Sequence, residues 1–251
     1  GTLRAIPQIH ELKILKWIHP FSAGVDWVLT PEVKASDVIV GNCSGIHAIP
    51  IAEHVLGLLL VFTRRFYDTF HNQQRKIWER QEEVGELKGK TVLIAGLGNI
   101  GRETARVVSC VGARVVALDR KGQEKPAWVE TLYSDEQWED ALGMADFVVL
   151  ALPLTVETRH LFDMEKFRIM KKSAVFVNIA RGGLVHEQEL VRALQEGVIA
   201  GAALDVTEEE PLPRESPLWE MKNVVITPHQ AGISEKYMDR ATDVFCENLK
   251  A

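Results

Sequence analysis

The sequence predicts a doubly wound α/β domain built on a parallel sheet. Its 251 residues are 46% hydrophobic and 25% charged, which is typical of a globular protein and argues against a disordered or fibrous chain. From Thr91 onward, short apolar runs alternate with amphipathic stretches. Because the apolar runs are nearly continuous, we expect parallel strands that are covered by helices on both faces of the sheet.

The part of the chain after residue 90 supplies the strands and helices of this domain. Helices are predicted over Asn99–Val111 and Glu187–Glu196, and the capping residues Ser134 and Asp163 predict two more between them. The predicted strands, each a short apolar run, are Thr91–Ala95, Arg114–Leu118, Phe147–Leu152, Ala174–Ala180, Ile199–Val206 and Val224–Thr227.

The first 90 residues predict a smaller region. They contain two strand candidates, Leu12–Ile18 and Asp37–Val40, and one long helix candidate, Ile49–Arg65. Two strands and one helix are too few to bury a core alone. We therefore expect this region to pack against another element, such as the last predicted helix, Ser234–Leu249.

Charge and cysteine content narrow the classes of function. The net charge of −6 argues against a nucleic-acid partner, which usually requires a basic surface. Cys43, Cys110 and Cys246 are widely spaced, so they predict neither a disulfide framework nor a metal site and suit the reducing cytoplasm. The longest apolar run, Val55–Phe62, falls short of the roughly 18 residues that span a bilayer, so no membrane partner is expected.

A glycine motif follows the first strand of the larger domain. Gly96, Gly98 and Gly101 match the pattern G-x-G-x-x-G, with Asn99 and Ile100 opening the helix. In a Rossmann fold the first glycine makes the tight turn, the second lets the backbone approach a pyrophosphate, and the third lets helix and strand pack closely. The helix N-terminus adds the positive end of its dipole. These five residues are predicted to bind a dinucleotide.

The residues after the second strand bear on the choice of cofactor. Asp119 ends that strand, where a carboxylate accepts hydrogen bonds from the adenosine ribose hydroxyls and repels a 2′-phosphate. This favours NAD over NADP. Arg120 and Lys121 follow directly and leave NADP possible, because either could bind a 2′-phosphate if the aspartate turned away.

Three polar residues follow later strands, at the edge of the sheet where open α/β folds bind ligands. They are Arg181, Glu210 and His229. Reduction of a ketone by hydride transfer needs a proton donor, which a histidine supplies near neutral pH. A carboxylate partner fixes the histidine's tautomer, and an arginine binds a planar carboxylate in a bidentate way. Together they predict chemistry on a 2-keto acid.

Four motifs in order resemble the D-isomer-specific 2-hydroxyacid dehydrogenases, from about Leu12 to the C-terminus. The 29 residues from Arg181 to Glu210 and the 19 from Glu210 to His229 are similar to that family's spacing. The motifs are Gly96–Gly101, Asn178–Val185, Gly201–Val206 with Glu210-Pro211, and Ile226–His229. Pro213–Trp219 is similar to branches that reduce glyoxylate or hydroxypyruvate.

The resemblance implies two domains. A partial flavodoxin-like substrate domain would comprise residues 1–66 and 234–251, followed along the chain by a linker at 67–90 and a dinucleotide-binding domain at 91–233. The family's flavodoxin-like unit has further strands before Leu12, so we expect this sequence to be incomplete at its N-terminus. The helix from about Ile49 would form a homodimer.

The resemblance also implies roles for individual residues. Arg181 would orient the substrate, Glu210 would be the partner carboxylate and His229 the acid/base. The backbone N–H groups of the loop Ser22–Asp26, at Ser22, Ala23 and Gly24, would bind the substrate carboxylate. Further cofactor contacts would come from Leu152, Pro153 and Thr158 on the adenosine side and from Ala180 and Asp205 near the nicotinamide. Ala231 is also expected to bind the cofactor.

Two alternatives stay open. The same residues would serve a dehydrogenase of a phosphorylated hydroxy acid such as 3-phosphoglycerate, although no extra basic cluster lies near Ser22–Asp26. The chain would otherwise be an NAD(H)-sensing binding protein of the corepressor type, which an exposed peptide-binding groove would identify.

Overall fold

The chain folds into two compact units, one within residues 1–47 and 233–251 and the other spanning 48–232. A computed structural model describes residues 14–25, 27–120 and 124–250. No helix among these residues is long and apolar enough to cross a membrane.

The larger unit contains a seven-stranded sheet in which every neighbouring pair of strands is parallel. Its strands are β3 (Thr91–Ala95), β4 (Arg114–Leu118), β5 (Thr131–Tyr133), β6 (Phe147–Leu150), β7 (Val175–Asn178), β8 (Gly201–Leu204) and β9 (Val224–Ile226). The strand order is β5-β4-β3-β6-β7-β8-β9. The order therefore reverses between β3 and β6, and ligands bind at such a switch point in open α/β sheets. The doubly wound fold is confirmed.

Helices cover both faces of this sheet. Along β3, Leu93 and Ala95 join one hydrophobic cluster, whereas Val92 and Ile94 join the other. Fully burying one such aliphatic side chain contributes about 1.5–3 kcal/mol, so the central strands anchor the fold. The α-helices of the unit are α2 (Ala48–Thr63), α3 (Phe66–Gln74), α4 (Asn99–Cys110), α5 (Trp138–Met144), α6 (Met164–Ile169) and α7 (Glu187–Gln195).

The predicted helix signals act as expected. Ser134 and Gln137 form a capping box before α5, and the Asp163 carboxylate accepts from the Lys166 N–H at 3.0 Å. These contacts satisfy first-turn N–H groups that have no partner within the helix.

Several boundaries differ from the sequence prediction. The sixth strand ends at Leu150, two residues before the predicted end, although the Ala151 N–H still donates to Ala95 O at 2.8 Å. The short strand β5 was not predicted, since Thr131–Tyr133 gives only three residues of signal. The helix α2 belongs to the larger compact unit, and the helix α3 lies largely within the predicted linker. The division into functional domains at residues 66, 90 and 233 stays a prediction.

The smaller unit, described by itself, has few buried side chains. Its parallel strands β1 (Trp17–Ile18) and β2 (Ile39–Val40) pair with each other. Its helices are α1 (Pro31–Lys34) and α8 (Tyr237–Lys250). Cys43 is buried in this unit against α8. Leu12 and Lys13, at the start of the first predicted strand, lie outside the described residues.

Candidate active site

The glycine loop between β3 and α4 has a shape that larger residues cannot adopt. Gly96 has φ +101°, and a Cβ there would lie 2.8 Å from the Ala151 carbonyl oxygen. A Cβ on Gly101 would overlap the carbonyl oxygen of Gly96. The Gly96 N–H donates to Leu118 O at 2.8 Å, which ties the turn to β4. Steric contact therefore requires glycine at these two positions, as the motif predicts.

The middle glycine is different, because space is open beside it. Gly98 is the N-cap of α4 with φ −70° and ψ −170°, and a Cβ added there would meet nothing within 4 Å. The N-cap therefore carries no side chain that could accept from the first turn, which begins at Asn99 and Ile100. An open approach to a helix N-terminus fits a pyrophosphate.

Asp119 and Arg120 follow β4 at the same edge of the sheet. The half-buried Asp119 is held by its backbone N–H, which donates to Tyr133 O at 3.1 Å. The exposed Arg120 guanidinium lies 3.6 Å from the Asp135 carboxylate. Lys121 lies outside the described residues.

Arg181 lies between β7 and a short 3₁₀ turn, Gly182–Leu184, in extended backbone. The buried Asn178 carboxamide holds it, since Nδ2 donates to Arg181 O at 3.0 Å and Oδ1 accepts from Ala180 N at 3.1 Å. A Cβ on Gly182 would overlap the carbonyl oxygen of Thr207. The loop after β7 is therefore in direct backbone contact with the loop after β8.

The loop after β8 brings Glu210 to His229. Glu210 Oε2 lies 2.7 Å from His229 Nδ1, and Glu210 Oε1 accepts from the Thr207 N–H at 3.3 Å. Both side chains are solvent-accessible, at 53% for the histidine and 38% for the glutamate. If Nδ1–H donates to the carboxylate, the His229 Nε2 atom is left to exchange a proton with a ligand.

Asp205, at the end of β8, fixes the loop that carries His229. Its carboxylate accepts from the Gln230 and Ala231 N–H groups, each at 3.0 Å, and from the Thr227 hydroxyl. Its backbone oxygen accepts from the His229 N–H at 2.8 Å. Asp205 is only 3% exposed, so its carboxylate binds this loop within the protein. The predicted cofactor contacts of Asp205 and Ala231 stay predictions.

The other predicted cofactor residues are placed as follows. Thr158 Oγ1 donates to Pro153 O at 2.7 Å, which closes the loop after β6. Leu152 is half-buried in this loop and Ala180 is buried after β7. The contacts of these four residues with a cofactor stay predictions.

The predicted substrate loop belongs to the smaller unit. Ser22 Oγ donates to Gly24 O at 2.8 Å, and the Cys43 N–H donates to Ser22 O at 2.9 Å. Asp26 lies outside the described residues, and the substrate contacts of Ser22, Ala23 and Gly24 stay predictions.

Sequence reasoning missed the residues that hold these side chains in place. Asn178 and Thr207 hold the loops of Arg181 and Glu210, and Thr227 binds Asp205. The signal was a polar residue at, or just after, the end of an apolar strand, where backbone groups leave the ladder and need partners.

Comparison with known proteins decides the family. A family model described as "D-isomer specific 2-hydroxyacid dehydrogenase, NAD binding domain" matches residues 56–231. This chain belongs to the D-isomer-specific 2-hydroxyacid dehydrogenases. It is an NAD(P)-dependent enzyme that transfers a hydride between the cofactor and a 2-keto or 2-hydroxy acid, which confirms the predicted family, reaction class and cofactor class.

Two curated proteins and one solved structure illustrate the relationship. A glyoxylate reductase of Thermofilum pendens is 38% identical over 94% of this chain and 71% of its own length. A D-3-phosphoglycerate dehydrogenase of Methanocaldococcus jannaschii is 35% identical over 100% of this chain, which spans only 48% of that relative. An NADPH-dependent glyoxylate/hydroxypyruvate reductase of Sinorhizobium meliloti, solved with NADP and sulfate, is 34% identical with a TM-score of 0.82, over 93% of this chain and 74% of that chain.

Proposed function

We propose that this dehydrogenase reduces a small 2-keto acid to the D-2-hydroxy acid, reversibly, with His229 as the acid/base. The observation that carries the proposal is the 2.7 Å contact between His229 Nδ1 and Glu210 Oε2. It leaves the Nε2 atom of a partly exposed imidazole available to a ligand at the carboxyl edge of the sheet. Arg181 follows a strand at this same edge.

The protein's part in the reaction is to bind, orient and protonate. A bound nicotinamide supplies the hydride. The glycine loop and the start of α4 hold the pyrophosphate, and Asp119 accepts from the adenosine ribose. Arg181 binds the substrate carboxylate through its planar guanidinium, which directs the ketone toward His229.

The proton moves at one atom of His229. During reduction, Nε2–H gives its proton to the ketone oxygen as negative charge develops there, and Glu210 stabilises the imidazole orientation through Nδ1. In oxidation, the neutral Nε2 accepts the proton of the hydroxyl group.

Glyoxylate and hydroxypyruvate are the substrates we propose first. The names of two relatives support this choice, since one is a glyoxylate reductase and the other a glyoxylate/hydroxypyruvate reductase. The phosphoglycerate dehydrogenase relative, at 35% identity, makes a phosphorylated hydroxy acid the second candidate.

We propose NADH as the preferred reductant. The support is Asp119, whose carboxylate follows β4 where a 2′-phosphate would approach. Because the Sinorhizobium relative is NADPH-dependent, the test must measure kcat/KM with both NADH and NADPH.

The test is a spectrophotometric assay of NADH and NADPH oxidation with glyoxylate, hydroxypyruvate, phosphohydroxypyruvate, pyruvate and larger 2-keto acids. We expect turnover with glyoxylate or hydroxypyruvate and a higher kcat/KM for NADH. Turnover only with phosphohydroxypyruvate would favour the second candidate. NADH binding without turnover on any substrate would overturn the proposal and favour the cofactor-sensing alternative.

We also propose a homodimer and a cytoplasmic location. The family resemblance supports a dimer through α2, and the three cysteines without disulfides suit a reducing compartment. Light scattering coupled to gel filtration tests the dimer, and a monomeric mass in the active preparation would contradict it.

A further inference from the structure

A histidine with no part in the proposed chemistry contacts the hydrogen-bonded pair Thr227 and Asp205, which holds the loop of His229. His54 lies in α2, and its side chain is 20% exposed. Its Nε2 atom lies 3.1 Å from Thr227 Oγ1 and 3.8 Å from Asp205 Oδ1. An imidazole on a helix is thereby linked, through one hydroxyl group, to the carboxylate that holds the His229 loop.

The available protons define the direction of each hydrogen bond. The Thr227 hydroxyl has a single proton, and it is donated to Asp205 Oδ1. A carboxylate that already receives N–H groups acts here only as an acceptor. Thr227 Oγ1 is therefore left to accept from His54, so the His54 Nε2 atom must carry a proton.

The surroundings of His54 agree with a neutral imidazole in this tautomer. Burial lowers the pKa of His54, an effect that the Asp205 carboxylate opposes. Nε2–H is then the only ring donor, and it is the atom that faces Thr227.

The loop at the other end of the network needs such support. His229 has φ +49°, a left-handed conformation that residues other than glycine rarely adopt. Its N–H donates to the backbone oxygens of Asp205 at 2.8 Å and Thr227 at 3.0 Å. Surrounding contacts must hold a residue in this conformation, and these contacts come from the residues linked to His54.

We propose that His54 is a positioning residue of the reaction. Its Nε2–H donates to Thr227, directs the threonine proton onto Asp205, and so fixes the backbone conformation in which His229 presents its imidazole. The inference rests on the proposed role of His229. His54 acts through Thr227 and Asp205, so its loss should lower kcat while cofactor binding is kept.

The first test compares His54→Leu, His54→Gln and the matched control His71→Leu, which makes the same exchange on the exposed face of α3. We expect His54→Leu to lower kcat about tenfold, with NADH affinity and keto-acid KM within twofold of wild type. His54→Gln, which keeps an N–H donor on a side chain of similar reach, should retain at least half of the wild-type kcat. A kcat within twofold for His54→Leu, or equal loss in both His54 variants, would overturn the proposal.

A second test asks whether His54 and Thr227 act as one unit. Thr227→Val removes the hydroxyl, and we expect it to lower kcat at least as much as His54→Leu does. The double variant should be no worse than Thr227→Val alone, because linked residues give non-additive losses. Multiplying losses would contradict a shared network.

A third test reads the tautomer without any assay of activity. Long-range ¹H–¹⁵N spectra of the wild-type protein should show His54 protonated on Nε2 and not on Nδ1 near neutral pH, with assignment from the His54→Gln spectrum. The Nδ1–H tautomer would overturn the proposal even if His54→Leu fails to fold. Absence of wild-type turnover would refute the proposed function, and with it the part of His54 in the reaction, whereas this spectrum would still show whether His54 donates to Thr227.

Discussion

The glycine loop after β3 and the His229–Glu210 pair are built in different ways. At the loop, backbone contact excludes any Cβ on Gly96 or Gly101, so the requirement is one of shape. At the pair, two accessible side chains meet at 2.7 Å, so the requirement is one of charge and position. Substitutions in the loop should therefore alter folding or cofactor binding, whereas those in the pair should alter the chemical step alone.

His229→Gln should have the largest effect on catalysis. Without an acid/base at Nε2, we expect kcat to fall by about 10²–10⁴-fold, while NADH affinity stays within twofold. Steady-state kinetics and fluorescence titration with NADH measure the two quantities, with His71→Gln as the control. Loss of NADH binding together with kcat would mean that His229 supports the fold, and the contrast between the two regions would fail.

Arg181→Lys should have the next largest effect. Lysine keeps the charge but loses the bidentate geometry, and a hydrogen bond to a charged group contributes about 1.5–3 kcal/mol. We therefore expect kcat/KM for the keto acid to fall about 10–100-fold, through a higher KM and a lower kcat. Arg192→Lys, at an exposed side chain of α7, is the matched control, and unchanged kinetics for Arg181→Lys would remove that residue from the site.

Two glycine substitutions separate the two requirements of the loop, which are open space for the cofactor and close packing of its own backbone. Gly98→Ala adds a methyl group to open space, so the free energy of unfolding should hold while NADH affinity falls about tenfold, a loss of about 1.4 kcal/mol. Gly101→Ala should instead destabilise the protein by about 1–3 kcal/mol, because its methyl group overlaps Gly96.

Urea unfolding and NADH titration of the same samples check both substitutions. Gly143→Ala is the control, since it lies in the last turn of α5, outside the proposed dimer helix, and a Cβ there would come no closer than 3.8 Å to a neighbour. Unchanged NADH affinity in Gly98→Ala would show that the cofactor does not approach this glycine.

Asp146→Asn should have the smallest effect, a modest loss of stability with no change in the kinetics of the active site. Burial alone would raise the pKa of Asp146, but hydrogen bonds from the Thr91 N–H and from Lys171 lower it below its ordinary value. The stabilisation is therefore complete at neutral pH and is lost as the pH falls below about 4.

We accordingly expect Asp146→Asn to be about 1 kcal/mol less stable at pH 7, a difference that shrinks toward pH 3. Urea unfolding at both pH values measures it. A difference that persists at the lower pH would contradict the ionic origin, and altered kinetics would show that the two edges of the sheet are coupled.

The sequence predicted the sheet well because burial dictates it. The strands over Thr91–Ala95 and Arg114–Leu118 were predicted to the residue, since strands buried on both faces are continuous apolar runs. The glycine loop was predicted equally well, because its tight backbone contacts require glycine at a fixed spacing.

The strands of the smaller unit and the contacts that support the site were harder to predict from the sequence. The smaller unit shows only two residues in each strand among its described part, and short strands are weakly specified by their own sequence. The supporting contacts of Asn178, Thr227 and His54 depend on which strands lie side by side, and that order emerges only once the sheet is formed.

The most direct test is a crystal structure of the enzyme with NADH and oxamate, an unreactive analogue of a 2-keto acid. We predict the pyrophosphate against Gly98 and the start of α4, the oxamate carboxylate on the Arg181 guanidinium, and the oxamate carbonyl oxygen within hydrogen-bond distance of His229 Nε2. A pyrophosphate away from the glycine loop, or an oxamate that contacts neither Arg181 nor His229, would contradict the account.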